Sequence, residues 1–173
     1  MTTTLKEQRL AFTFADTAEP TQYDEWTFYR RQFNAVCGGT KAVDFICVDD
    51  DQVWLIEVKD YRQHRRTKVV DLGDEIAGKV RDTLAGLVAA HCNANDAEEK
   101  RLANQALRRS RCRVVLHLEQ PQNPSRLFPT SVNPDNLRLK LRQLLKAIDA
   151  HPKVVDQYSL TDDMPWTVTG IAQ

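Results

Sequence analysis

Three charged residues interrupt two stretches that are otherwise typical of β-strands. Asp44 lies in the sequence AVDFI, and Glu57 and Lys59 lie in the sequence LIEVKD. A charge among strand hydrophobics is costly when it is buried without a partner, so these side chains need compensating groups. Two carboxylates beside a lysine can hold Mg²⁺ or Mn²⁺ and stabilise charge on a phosphate group. The residue types therefore indicate metal-assisted chemistry on a phosphodiester.

The pairing of the two strands decides whether these charges meet. The acidic link between the strands predicts a hairpin, and a tight turn at Asp50 and Asp51 places Asp44 directly opposite Glu57. Lys59 lies two residues beyond Glu57, so its side chain points to the same face of the strand. An odd loop length or a bulge would shift this register. An ordinary cross-strand ion pair on a half-exposed sheet face stays open as the alternative.

The pattern of an acid in one strand and an acid-x-Lys tripeptide in the next resembles the PD-(D/E)XK nuclease superfamily, which has the restriction-endonuclease-like fold. The matching residues are Val43-Asp44 and Glu57-Val58-Lys59, with Val43 in place of the proline of the motif. The resemblance implies a core over residues 20–119. It also implies that Asp44, Glu57 and the main-chain carbonyl of Val58 bind the metal, while Lys59 orients the attacking water.

Many members of that superfamily add a glutamate from the first helix to the metal site. Aromatic residues recur at intervals of three and four from Trp26 to Phe33 and predict a helix over Thr21–Asn34. On such a helix Glu25 flanks the apolar stripe, whereas Asp24 points almost directly away from it. We therefore expect Glu25 to complete the site as a catalytic and metal-binding residue.

The remaining patterns predict the elements that position these residues. They are a strand at 10–14, a helix from Asp71 to Cys92, a second helical piece to about Arg109, a strand at 112–118, a helix after Asn133 and edge strands near 154–160 and 166–171. Together they predict an α/β (mixed α+β) fold, with a central mixed sheet flanked by helices in the order αβββαβ. We expect one domain over 1–173, whose C-terminal helix and β tail occupy 120–173.

Composition narrows the class of protein. The 173 residues carry 24 Lys and Arg against 24 Asp and Glu, so the formal net charge is zero. This balance argues against a protein that coats nucleic acid generally, because such binding depends on counterion release. No apolar run is long enough for a membrane span, no secretion signal is evident, and the four cysteines form no C-x-x-C pair. The sequence predicts a cytoplasmic protein with reduced thiols.

A basic segment directly follows the second strand of the hairpin. It is predicted to contact nucleic-acid phosphates beside the metal site, and its members are Arg62, His64, Arg65, Arg66 and Lys68. A solvated loop face is the equal alternative.

The leading hypothesis is a Mg²⁺-dependent endonuclease, a hydrolase that acts on DNA, with a homodimer or a partner subunit supplying specificity. The main alternative is a catalytically inactive module of the same fold, which binds nucleic acid or a protein partner in a defence or mobile-element system. A structural protein with an ordinary ion pair at Asp44, Glu57 and Lys59 is the third possibility.

Overall fold

The computed structural model describes residues 2–124 and 132–171. Its strands are β1 (Thr3–Glu7), β2 (Leu10–Phe14), β3 (Glu19–Gln22), β4 (Phe45–Val48), β5 (Gln52–Asp60), β6 (Arg111–Glu119), β7 (Lys153–Val155) and β8 (Trp166–Gly170). Its α-helices are α1 (Leu72–Asn93), α2 (Ala97–Leu107) and α3 (Pro134–Leu145). The mixed α/β class is therefore confirmed.

The larger sheet has five strands in the order β3-β4-β5-β6-β7. Strand β4 runs antiparallel to both β3 and β5, and β6 and β7 continue the sheet in parallel with β5. Val48 pairs with Val53 and Phe45 pairs with Ile56, which is the register expected from a tight acidic turn. The predicted hairpin and its register are therefore confirmed.

Each face of the larger sheet is covered by its own apolar layer. On one face Val53 and Leu55 of β5 pack with the helices, whereas Trp54 and Ile56 belong to a second core on the opposite face. That second core is closed by a three-stranded antiparallel sheet in the order β1-β2-β8. Strand β5 is therefore buried on both sides, which explains why its sequence reads as an almost continuous apolar run.

Helices α1 and α3 begin where the sequence predicts them. Asp71 caps α1 and accepts hydrogen bonds from the backbone N–H groups of Gly73 and Asp74. Asn133 caps α3 in the same way, with Pro134 at the first helical position. Among the described residues, no helix is long and apolar enough to cross a membrane.

The predicted helix over residues 21–34 is wrong in its first half. The chain there forms the end of β3, a 3₁₀ turn at Tyr23–Glu25 and an extended residue at Trp26, and it becomes helical only over residues 27–33, with a π-helical segment at Tyr29–Phe33. Pairing of β3 with β4 supplies backbone hydrogen bonds that compete with a helix here. The predicted order αβββαβ therefore needs correction, because a strand and short helical turns stand where its first helix was expected.

Candidate cation site

Asp44 and Glu57 meet at the end of the β4–β5 hairpin that lies away from the acidic turn. Asp44 directly precedes β4 and is 8% exposed, and Glu57 in β5 is 1% exposed. One carboxylate oxygen of Asp44, Oδ2, accepts a hydrogen bond of 2.7 Å from the backbone N–H of Val58. The register of the hairpin thus brings two acids into a buried space.

Two lysines from different elements converge on Glu57. The Nζ atoms of Lys59 in β5 and Lys79 in α1 each donate to Oε1 of Glu57 at 2.5 Å. The other carboxylate oxygen of Glu57, Oε2, is buried and has no hydrogen-bond partner among the described residues. A buried carboxylate oxygen without a partner is rare in folded proteins, and a bound ion would satisfy it.

Three further carboxylates lie together beside Glu57. Glu7 at the end of β1, Asp24 in the 3₁₀ turn and Asp44 each offer an oxygen, and these oxygens lie within 4.8 Å of one another. We call these three residues the carboxylate cluster. Oδ1 of Asp24 is also buried and without a hydrogen-bond partner among the described residues. The arrangement places several oxygen donors around one small volume.

The protonation of these acids reflects their crowding. Burial, reinforced by the neighbouring charge of Glu57, raises the pKa of Asp44 to about 8. Burial also raises the pKa values of Glu7 and Asp24, and the charges of nearby acids add to this effect. Burial alone would lower the pKa of Lys59, but its contact with Glu57 raises it overall. The site is therefore short of positive charge on the side of the carboxylate cluster.

Two residues of the predicted metal site have other partners. Glu25 lies at the surface with its side chain 48% exposed, and it forms an ion pair with Arg30. Asp24 joins the carboxylate cluster instead, because the helical geometry that favoured Glu25 is interrupted at Trp26. The carbonyl of Val58 accepts a hydrogen bond of 3.2 Å from Nε2 of Gln8.

Arg62, Arg66 and Lys68, which are predicted to contact nucleic acid, have acidic partners within the chain. Nη2 of Arg62 lies 2.6 Å from Oδ2 of Asp60. Nη2 of Arg66 and Nζ of Lys68 lie 2.7 and 2.9 Å from the carboxylate oxygens of Glu75. These pairs compensate much of the charge that the segment carries, so its contact with phosphates stays a prediction.

The other two basic residues of the segment, His64 and Arg65, are exposed. The ion pairs of their neighbours with Glu75 hold the segment against the first turn of α1. These contacts therefore keep the two exposed side chains beside α1.

Sequence reasoning missed Glu7 and Lys79, and it rejected Asp24 in favour of Glu25. Glu7 is brought to the site only by long-range strand packing, and no local pattern indicates it. Lys79 carries a readable signal, since it lies three residues after Ile76 and four before Thr83, on the buried side of α1. A lysine on the apolar side of an amphipathic helix indicates a buried acidic partner.

Comparison with known proteins gives one informative similarity. No protein-family model and no solved structure matches the chain. A cysteine–tRNA ligase of Neisseria meningitidis serogroup A is 34% identical over an alignment of 178 residues, which covers 83% of this chain and 25% of the ligase. The chain thus spans about a quarter of the length of this relative.

This similarity contradicts the nuclease interpretation. The relative is a ligase that, by its name, joins cysteine and tRNA, so the resemblance to PD-(D/E)XK nucleases and the endonuclease and hydrolase activities are wrong. DNA as the partner is contradicted too, because the name of the relative specifies an RNA. The restriction-endonuclease-like core is not confirmed. A hairpin that buries an ion pair can show the same facing acid and acid-x-Lys tripeptide. The motif alone therefore does not identify a nuclease.

Proposed function

We propose that this chain binds RNA, with tRNA as the first candidate, through a divalent cation held by the carboxylate cluster and Glu57. The observation that carries the proposal is the buried Oε2 of Glu57, which has no hydrogen-bond partner among the described residues. The charge of Glu57 acts on Glu7, Asp24 and Asp44, the three acids whose oxygens lie together. The similarity to a tRNA ligase supports RNA as the partner class.

A divalent cation would remove the electrostatic penalty of the site. Buried carboxylates that lie close together retain protons, and the pKa of Asp44 is raised first by burial and then by repulsion from Glu57. A bound cation reverses the effect, because it is the largest local charge and favours the ionised acids. Oxygen from Glu7, Asp24, Asp44 and Glu57 would supply its ligands.

The donor set selects the kind of cation. Carboxylate oxygens suit Mg²⁺ or Mn²⁺, whereas zinc favours cysteine and histidine. Over residues 2–124 and 132–171, the group of side chains close enough to share an ion consists of carboxylates, and the four cysteines are free thiols outside it. We therefore propose Mg²⁺ or Mn²⁺ as the cation.

RNA fits the surroundings of such a cation. Magnesium in proteins commonly keeps open positions for water and phosphate oxygens, so a cation in the carboxylate cluster would attract an RNA backbone. The side chain of Lys59 is 14% exposed, and His64 and Arg65 lie exposed in the following segment. Because the chain has no net charge, RNA binding would depend on these local groups and on the cation.

The first test measures cation binding by calorimetry, with MgCl₂ and MnCl₂ titrated into the full chain at about pH 8.5, where Asp44 is largely ionised. We expect binding at millimolar concentration or below, and Asp44→Asn should weaken it at least about tenfold. The asparagine can still accept the hydrogen bond from Val58. Asp50→Asn in the exposed acidic turn is the matched control and should bind like the original chain.

The second test measures fluorescence anisotropy of labelled tRNA, with a DNA hairpin of similar length for comparison. We expect Mg²⁺ to strengthen tRNA binding about tenfold relative to EDTA in the original chain and in Asp50→Asn, but not in Asp44→Asn. A denaturing gel ensures that binding is measured on full-length RNA. Absence of cation binding, or equal affinity for tRNA with and without Mg²⁺, would contradict the proposal. Equal binding of the DNA hairpin would contradict the preference for RNA.

A further inference from the structure

We propose that Lys79 is a phosphate-binding residue that a divalent cation releases from Glu57. This inference rests on the proposed function, and it assigns to one side chain of α1 a role in holding the RNA backbone. Lys59 and Lys79 together are called the lysine pair.

The lysine pair competes with the cation for the same carboxylate. Both Nζ atoms lie 2.5 Å from Oε1 of Glu57, and they approach it from two different elements, β5 and α1. A cation bound to the carboxylate cluster would use the other oxygen, Oε2, which has no partner among the described residues. The divalent charge would then lie close to both ammonium groups and repel them.

The two members of the lysine pair differ in how strongly acidic neighbours hold them. Nζ of Lys59 has a second acidic neighbour, because Oε1 of Glu75 lies 3.7 Å away. The charges of Glu7 and Asp44 act on both lysines, whereas that of Asp24 acts on Lys79. When those acids bind a cation, they no longer compensate Lys79. Lys79 is therefore the member that loses most of its attraction.

The released ammonium group can reach a ligand outside the protein. The side chain of Lys79 is 16% exposed, so its stem is buried while part of it reaches the surface. An ammonium group is a strong partner for a phosphate oxygen, and it needs no fixed orientation. A phosphate that also coordinates the cation would lie close to the lysine pair. The cation would thus create both its own phosphate contact and a second one at Lys79.

The test uses Lys79→Met, which keeps most of the side-chain volume and removes the charge. Without RNA, this variant should bind Mg²⁺ about threefold to tenfold more tightly than the original chain, since a competing positive charge is gone. With Mg²⁺, it should bind labelled tRNA about tenfold more weakly, and the dependence of log affinity on log salt should fall by about one unit. A gain in Mg²⁺ affinity together with a loss of tRNA affinity would distinguish a released phosphate contact from a lysine with a purely structural role.

Arg81→Met is the matched control on the same helix, because Arg81 is 77% exposed and pairs with Asp82. It should change neither the Mg²⁺ affinity nor the salt dependence. Lys79→Arg should restore most of the tRNA affinity, and Lys79→Gln provides the same comparison if the methionine variant fails to fold. If the original chain responds to Mg²⁺ but Lys79→Met keeps its tRNA affinity and salt dependence, this inference is wrong while the proposed function stands. If the original chain shows no response to Mg²⁺, the proposed function itself is wrong.

Discussion

Gly86→Ala should lower the free energy of unfolding by about 3 kcal/mol, which corresponds to a fall in Tm of about 9 °C for a chain of this size. Gly86 lies in α1 against residues 23–33, which we call the aromatic segment. A Cβ atom at Gly86 would lie 2.0 Å from Oη of Tyr23 and 3.1 Å from Cε1 of Phe33. Tyr23 is completely buried, so its ring cannot move aside without disturbing the core. Overpacking of this kind forces side chains off their rotamers or shifts the helix.

The same helix supplies the control for this measurement. A Cβ atom added at Gly78 would have no neighbouring atom within 4 Å. Gly78→Ala should therefore stabilise the chain by roughly 0.5–1 kcal/mol, because alanine has the higher helix propensity. Both variants can be compared by urea unfolding followed by circular dichroism. Tyr23→Phe in the Gly86→Ala background removes the clashing oxygen and should restore part of the loss. A Gly86→Ala variant that matches the original stability would show that the helix and the aromatic segment are not in contact.

Glu75→Gln should remove about 2–3 kcal/mol of stability at neutral pH. Glu75 is 2% exposed, and Lys68 and Arg66 both donate hydrogen bonds to its carboxylate. Burial alone would raise the pKa of Glu75, but these hydrogen bonds lower it to about 2. The glutamine keeps the size of the side chain and one acceptor oxygen, so the loss reports the missing charge.

The pH dependence of this loss has a defined sign. The folded pKa of Glu75 lies below the ordinary value of 4.5, so its contribution is complete above that pH and declines as the pH falls towards 2. The difference between the original chain and Glu75→Gln should therefore be constant near neutrality and smaller by about 1 kcal/mol at about pH 3.5. Urea unfolding at several pH values measures it. Glu98→Gln, which alters an exposed pair with Arg101, should show little difference at any pH. A constant gap for Glu75→Gln down to about pH 3.5 would contradict the ion pairs of Glu75 with Lys68 and Arg66.

Local patterns were sufficient for the elements whose signals are short in range. The hairpin register followed from the short acidic turn between two apolar segments. Helix α1 followed from its periodicity, and α3 followed from its periodicity and its cap, Asn133. Because Asp44 and Glu57 lie within that hairpin, the centre of the candidate site could also be placed from the sequence.

The rest depended on contacts between distant segments. Strand β3 contains a proline and has no apolar alternation. It forms because its backbone pairs with the edge of β4. The spacing of the aromatic residues predicts a helix over residues 21–34, but the first part of this segment is bent. Nε1 of Trp26 donates a hydrogen bond of 2.7 Å to Oγ1 of Thr21 across the bend. Glu7 reaches the carboxylate cluster only through the packing of the small sheet. No window of the sequence contains that information.

The central position of β5 has a consequence for how the protein unfolds and exchanges its amide hydrogens. Its backbone is hydrogen-bonded to β4 on one side and to β6 on the other, and apolar layers cover both of its faces. The amide hydrogens of Leu55 and Ile56 should therefore exchange with heavy water only when the whole chain unfolds, later than those of the exposed segment around His64. Glu57 follows directly in this slowest-exchanging strand, so its own carboxylate cannot move away from the neighbouring acids by local fraying.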